Sequence, residues 1–302
     1  MSSQIRGILF MASASAIIPV ADGIAKVLSE NHSALLVSSG RYFAASILLL
    51  PIAFMKHGRK ALPPRHRLKP HIMRTILMVM AMTLFYVSIV TIDLATAVSA
   101  FFVGPIVGSV AAVFLLGEKM TKAKLVALGL GFVGAIIIAR PGTAMSPGVL
   151  LALAAGVCYG FYLVSTRLAS GETTPLQALV FQNVFGTLLL LPQAILTWSA
   201  PSGFEIMLLL AMGAISLVCH TLTINAFRHA DATTLAPLSY VELITSATVG
   251  YVWFRQLPEP TVWIGLRRSG RAGADLHAQA GFVSKKLTMR TDNTRRKGFR
   301  HE

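Results

Sequence analysis

Apolar residues fill this chain in long blocks, not in the alternating or one-faced patterns of soluble strands and helices. Nine blocks are close to the roughly 20 residues that carry an α-helix across the hydrocarbon of a bilayer. They run from Gly7 to Leu28, Ser33 to Phe54, Ile72 to Thr91, Thr96 to Leu116, Ala123 to Ala139, Pro147 to Thr166, Pro175 to Thr197, Phe204 to Phe227 and Leu235 to Phe254. A tenth begins at Thr261 and stops at Leu266, where a full span is expected. The first block follows a basic residue, as a signal peptide would, but runs on through Leu28 without a convincing cleavage site, so it reads as the first span. The pattern predicts an all-α, polytopic membrane bundle with nine clear transmembrane helices, the tenth being lost or replaced by a basic tail.

The polar connections orient these spans. The loop "KHGRKALPPRHRLKPHIMR" carries Lys56, Arg59, Lys60, Arg65, Arg67, Lys69 and Arg74 without an acid, which assigns it to the cytoplasm. The N-terminus is then cytoplasmic, the Lys119, Lys122 and Lys124 connection is too, and the Asp93 connection faces out. Arg140 on an outer loop runs against the bias. A multi-pass protein of the cytoplasmic (inner) membrane is expected.

Composition agrees with this reading. Apolar residues make up 54% of the chain and charged residues 13%, against about 25% charged in an ordinary soluble domain. The mean hydropathy is +0.67. The net charge of +15 is concentrated in one loop and the terminal tail, so it predicts contact with the anionic lipid bilayer and no nucleic-acid partner. Cys158 and Cys219 lie inside apolar blocks without metal-ligand or redox spacing and read as packed thiols.

The chain also repeats itself. At an offset of 141 residues "GILFMASASA" lies over "GVLLALAAGV", Lys26 over Arg167, and "RYFAASILLLPIA" over "QNVFGTLLLLPQA", with ten identities in 47 positions from Gly7 to Ala53. Further on, "DLATAVSAFFVGPIVGSVAAVFLLGE" aligns with "DATTLAPLSYVELITSATVGYVWFRQ" at an offset of 138, matching in little beyond hydropathy. Five spans per half is an odd number, so consecutive halves enter the membrane from opposite sides. An inverted 5+5 helix repeat is expected, with residues 7–142 as the first half, 148–266 as an incomplete second half, and 267–302 as a basic, disordered tail.

"AFFVGPIVGSVAAVFLLGEKMT", "GLGFVGAIIIARPG" and "APLSYVELITSATVGYVWFRQLPEPTVWIG", with Asp22 to Lys26 and Arg41, make the chain resemble the drug/metabolite transporter superfamily and its EamA-type members. The resemblance runs from Gly7 to about Leu266. It implies ten helices in two repeats and secondary transport of a small-molecule substrate, a metabolite or drug, without nucleotide hydrolysis. One departure is that Gly117 and Glu118, which close span 4, are replaced by Arg255 and Gln256 after span 9.

Ionisable groups inside a membrane are costly, so each one with a nameable partner is a functional candidate. Asp22 and Arg41 lie at similar depth on neighbouring antiparallel spans and could pair as a gate or hold a charged substrate group. Asp22 with Lys26 one turn on is the structural alternative. His220 and Glu242 sit at comparable depths in the second half and could bind a proton together. Gln182 and Asn183 occupy the repeat-related place of Arg41 and Tyr42. Tyr86, Tyr159, Tyr162 and Tyr240 are candidates to line a central cavity. Gly104, Pro105 and Gly108 fit either a kink or close helix packing.

No catalytic constellation, cofactor motif or metal-ligand cluster is present in the sequence, and "GLGFVG" lies inside an apolar span, outside any βαβ setting. The leading expectation is a transporter working by alternating access. A truncated non-transporting membrane protein is the alternative, followed by an integral-membrane enzyme. A homodimer is compatible with each.

Residues 267–302 hold ten Lys and Arg against three acids. With nine spans this tail would emerge on the outer side, against the usual bias. As a hypothesis, a frameshift accounts for both oddities. With permitted synonymous codons, "RRSGRAGADLHAQAGFVSKK" read one base later becomes "VVAGALVLIYTRRRVSSAK", an apolar helix with a basic anchor. The nucleotide sequence decides it, and stops or charges in that frame would rule it out.

Overall fold

The computed structural model describes residues 3–63, 68–139, 146–169 and 173–255. Among them every regular element is helical: α1 (Ser3–Leu28), α2 (Ala34–His57), α3 (Leu68–Thr91), α4 (Leu94–Phe101), α5 (Val103–Leu116), α6 (Lys122–Ala139), α7 (Pro147–Ala169), α8 (Pro175–Leu196), α9 (Gly203–His229), α10 (Ala232–Leu235) and α11 (Val241–Phe254). The 267–302 tail and the stub at 261–266 lie outside the described residues.

Seven helices among the described residues are long and apolar enough to cross a membrane, α4 and α5 counting as one. This count does not confirm the expectation of nine. The expected fifth span corresponds to the 18-residue α6. The expected ninth is broken into α10, a 3-10 turn at Ala236–Tyr240, and α11. Pro237 sits in that turn, where a residue without an N–H cannot continue an α-helical ladder.

The expected fourth span is also interrupted, at Phe102 between α4 and α5. Pro105 explains the place, because its ring excludes the carbonyl four residues back, that of Phe101, and has no N–H to offer it. The freed Phe101 carbonyl lies against Gly156 of α7, where any Cβ would collide with it. Glycines continue this seam: a Cβ on Gly104 would lie 2.7 Å from the Gly156 oxygen, and one on Gly160 would lie 2.6 Å from the Gly104 oxygen. Close packing of α5 on α7 is thus the role of Gly104 and Gly108.

Helix starts follow from local chemistry. Thr174 and Gln177 form a reciprocal capping box ahead of α8, with Pro175 entering the first turn, and Ser202 and Glu205 do the same for α9. α5 ends at Gly117 and α11 ends at Arg255, 138 residues apart, both in the left-handed conformation with φ of 65° and 53°.

The main packing pairs are α1 with α9, α3 with α7, α5 with α7, α2 with α8, α2 with α9 and α1 with α11. Gly7 of α1 abuts Ala230 beyond α9, and Gly148 of α7 abuts Thr91 at the end of α3 and Ile92 just after it. The perimeter of the bundle is apolar, and the buried charges lie within its apolar core. Met55, Phe114 and Leu196 stand more than 80% exposed on the perimeter, whereas Arg41 and Arg74 are 2% and 1% exposed at the centre. Such a distribution suits hydrocarbon as the surrounding solvent.

Candidate functional site

The polar centre is built from α1, α2, α3, α7, α8, α9 and α11, which meet around a continuous run of buried side chains. Arg41 on α2 donates from Nη1 to the Tyr86 hydroxyl of α3 at 3.2 Å and from Nη2 to Nε2 of His220 on α9 at 3.0 Å. A guanidinium has only donors, so His220 accepts there and its Nδ1–H faces the Tyr162 hydroxyl of α7 at 3.5 Å. The Tyr162 ring lies 5.7 Å from the Arg74 guanidinium of α3. Arg74 in turn donates from Nη2 to the Gln182 side-chain oxygen of α8. The run Tyr86, Arg41, His220, Tyr162, Arg74, Gln182 therefore links helices from both sequence halves.

The run is incompletely satisfied. Nε of Arg74, Nε2 of Gln182 and the hydroxyl of Tyr42 are buried without a hydrogen-bond partner, and so is the hydroxyl of Tyr240. Buried polar atoms left this way are costly unless a solute or water completes them. Tyr42 is within reach of the cluster, with the Arg41 guanidinium 5.2 Å from its ring.

Two carboxyl groups are buried as well. Asp22 of α1 and Glu242 at the start of α11 are 3% and 8% exposed. They act on each other electrostatically, Asp22 also acts on Arg41, and both act on Tyr159 and Cys219. Tyr159 is half-buried between aromatic neighbours, with ring centroids 4.8 Å from Phe101 and 5.6 Å from Tyr162.

The expected pairings are redrawn. Asp22 and Arg41 share the centre, but no ion pair joins them among the described residues. Lys26 turns away from Asp22, donating to the Ile92 carbonyl at 3.0 Å and lying over the Phe254 ring. His220 engages Arg41 and Tyr162, and not Glu242 as expected from depth, since depth does not specify which face of a helix a residue occupies. Asn183 donates to Leu179 of its own helix at 2.9 Å, a packing role, while its neighbour Gln182 joins the run. Tyr240 is buried and stacks on Phe102 at 5.0 Å.

Arg74 is the residue that the sequence reading missed. It was assigned to the cytoplasmic basic loop, yet it lies inside the expected third span, two residues past Ile72, and that position was its signal.

Beyond the centre, the ends of the bundle carry one basic cluster each. At one end Lys26 holds the end of α3. At the other, Arg167 donates to Phe227 and, at 3.0 Å, to Asp231, with Glu118 at 3.6 Å. Glu118 also accepts from the backbone N–H groups of Ala232 and Thr233 at 3.1 and 2.9 Å, satisfying the start of α10. Among the described residues there is no group of three or more metal-ligating side chains.

Comparison with known proteins adds to this geometry. The EamA-like transporter family matches the chain twice, over residues 5–140 and 146–267. An S-adenosylmethionine uptake transporter of Rickettsia felis is 28% identical over 245 residues, covering 81% of this chain and 83% of that protein. Its counterpart in Rickettsia prowazekii is 28% identical over 239 residues, 79% and 81% of the two chains. A riboflavin transporter of Vibrio cholerae is 22% identical over 266 residues, 86% and 89% of the two. A solved crystal structure shares the fold with a TM-score of 0.73 at 16% identity, covering 93% of this chain and 98% of that one.

Proposed function

Since the chain belongs to the EamA-like transporter family and transports a small metabolite, we propose that it does so as a secondary transporter, exposing one central site alternately to the two sides of the cytoplasmic membrane. The observation that carries this reading is the buried polar run from Tyr86 to Gln182, which crosses the interface between the halves. Asp22, Arg41, Tyr86, Tyr159, Gln182, His220, Tyr240 and Glu242 form the solute-binding or gating set, with Asn183 supporting its helix.

An inverted 5+5 repeat of 7–142 and 148–266 underlies the movement. The two family matches support it, as do the left-handed caps at Gly117 and Arg255 and the exchange of packing partners, α1 on α9 and α7 on α3. On this reading α6 and the broken α10–α11 segment complete nine spans, and the Lys26 and Arg167 clusters close opposite faces. A cytoplasmic N-terminus follows from the six basic residues from Lys56 to Lys69.

The relatives make S-adenosylmethionine and riboflavin the first solutes to test. In proteoliposomes holding the full chain, one of them accumulates with time, and Arg41→Ala reduces the rate at least about tenfold, the scale of losing a charge-assisted contact. Chemical conversion of the solute without accumulation would support an enzyme instead. A folded chain that neither accumulates nor converts any solute in a metabolite panel would sink the transport reading.

A further inference from the structure

Four ionisable side chains of opposite sign are buried at the centre of this bundle, and they are kept apart. Asp22 stands on α1 and Glu242 on α11, Arg41 on α2 and Arg74 on α3. Among the described residues no ion pair of 4.0 Å or less joins either carboxylate to either guanidinium. Had these charges served packing alone, direct contact would have offset the most desolvation, since a buried charge without a contacting partner costs several kcal/mol, order of magnitude. Separation leaves that cost to be met by something between them.

The unsatisfied atoms show which chemistry is missing. On the guanidinium side, Nε of Arg74, Nε2 of Gln182 and the Tyr42 hydroxyl are all donors, all buried and all without partners. A set of donors beside two guanidinium groups fits a carboxylate, which accepts through two oxygens at once. The two buried carboxyl groups, Asp22 and Glu242, present acceptors, which fits a cation.

We propose, building on the transport reading above, that the centre is a two-pole site for an amphoteric organic solute: Arg41, Arg74, Tyr42 and Gln182 hold its carboxylate, and Asp22 and Glu242 hold its cationic groups. Acidic and basic groups both line the centre, so it favours a solute carrying both signs over a simple anion, a simple cation or an uncharged ring system. Arg74, reached from α3, becomes a specificity-determining residue for the carboxylate. Glu242 sets preference for cationic charge. The inference separates the two kinds of relative, because S-adenosylmethionine carries a carboxylate, an ammonium and a sulfonium, and riboflavin carries none of these.

The test uses the full chain in nanodiscs and four probes: S-adenosylmethionine, S-adenosylhomocysteine without the sulfonium, 5′-methylthioadenosine without the amino-acid group, and riboflavin. Affinity is expected to fall in that order, with the last two at least about a hundredfold weaker, as for sites whose buried polar groups go unpaired. Glu242→Gln brings the first two probes to within about threefold of each other, as removing a charge contact implies. Arg74→Gln narrows the gap between S-adenosylmethionine and 5′-methylthioadenosine about tenfold or more on the same basis. A merely structural role for either residue would weaken all probes alike and leave these ratios unchanged, which would overturn the assignment. Should Arg74→Gln fail to fold, the Glu242→Gln ratio still decides.

Riboflavin bound more tightly than S-adenosylmethionine, and accumulated in vesicles, would overturn the amphoteric site while leaving transport intact. S-adenosylmethionine bound with the expected ratios but never accumulated would do the reverse.

Discussion

Two seams of this bundle stand at matching places in the two sequence halves, and they are made of different material. Where α5 meets α7, Gly104, Gly108, Gly156 and Gly160 bring backbone against backbone. Where α11 meets α1, Gly23 faces the side chains of Val249 and Trp253, and the seam carries Asp22 and Glu242. Related registers thus yield a rigid contact in one place and a charged wall in the other. A transporter with one asymmetric solute needs both: a fixed surface for movement to work against, and a wall with chemistry. Glycine at each close approach lets the first form, and the loss of backbone contact makes room for the second.

The largest effect should come from Gly160→Leu, whose Cβ would lie 2.6 Å from the Gly104 carbonyl oxygen and 2.9 Å from the Gly108 nitrogen. Backbone cannot step aside as a side chain does, so the cost is about 3 kcal/mol, read as a lower Tm in detergent. Gly23→Ala meets only side chains, at 2.7 and 2.8 Å, and should cost about 1 kcal/mol. Equal costs would break the comparison.

On the charged seam, Glu242→Gln should leave Tm unchanged or raise it, because a buried carboxylate without a contacting partner is costly to fold around. Transport should fall at least about tenfold, the scale of one charge-assisted contact. A lower Tm with unimpaired transport would make Glu242 a packing residue.

The helix ends sharpen the contrast further. Gly117 adopts its left-handed cap freely, whereas Arg255 adopts the same conformation with a Cβ in the way. Arg255→Gly is expected to stabilise the chain by about 1 kcal/mol. Gly117→Arg should destabilise it by a similar amount, and a chevron or Tm series on the pair checks the sign.

Smallest are the two basic clusters. Arg167→Ala loses contacts to Phe227, Asp231 and Glu118, and Lys26→Ala loses one carbonyl and a ring. Partly exposed pairs contribute little, so about 1 kcal/mol is expected for Arg167 and about 0.5 kcal/mol for Lys26. A double-mutant cycle of Arg167 with Asp231 measures the coupling directly.

Much of this was legible in the order of residues. Apolar length alone predicts the helices, and a charge inside such a stretch announces itself, as Asp22, Arg41 and Glu242 do. Arg74 was hidden because it continues a run of basic loop residues, and nothing local separates the last loop charge from the first buried one. The pairing of His220 with Glu242 was misjudged for a different reason: a position along a span sets depth, while the partner depends on rotation about the helix axis and on which helix packs there. The breaks before Pro105 and at Pro237 were marked by the prolines, but whether such a residue bends a span or divides it depends on its neighbours. At Phe101 the division holds because Gly156 admits the freed carbonyl.

By itself, then, the order of residues determined an all-helical membrane chain, its family resemblance and the presence of buried charge, since hydrocarbon imposes one rule on every span. Only the tertiary structure decided that Arg41 and Arg74 join one polar run and that neither forms an ion pair with Asp22 or Glu242 among the described residues. That arrangement depends on helices distant in sequence turning particular faces toward each other, which hydropathy does not encode.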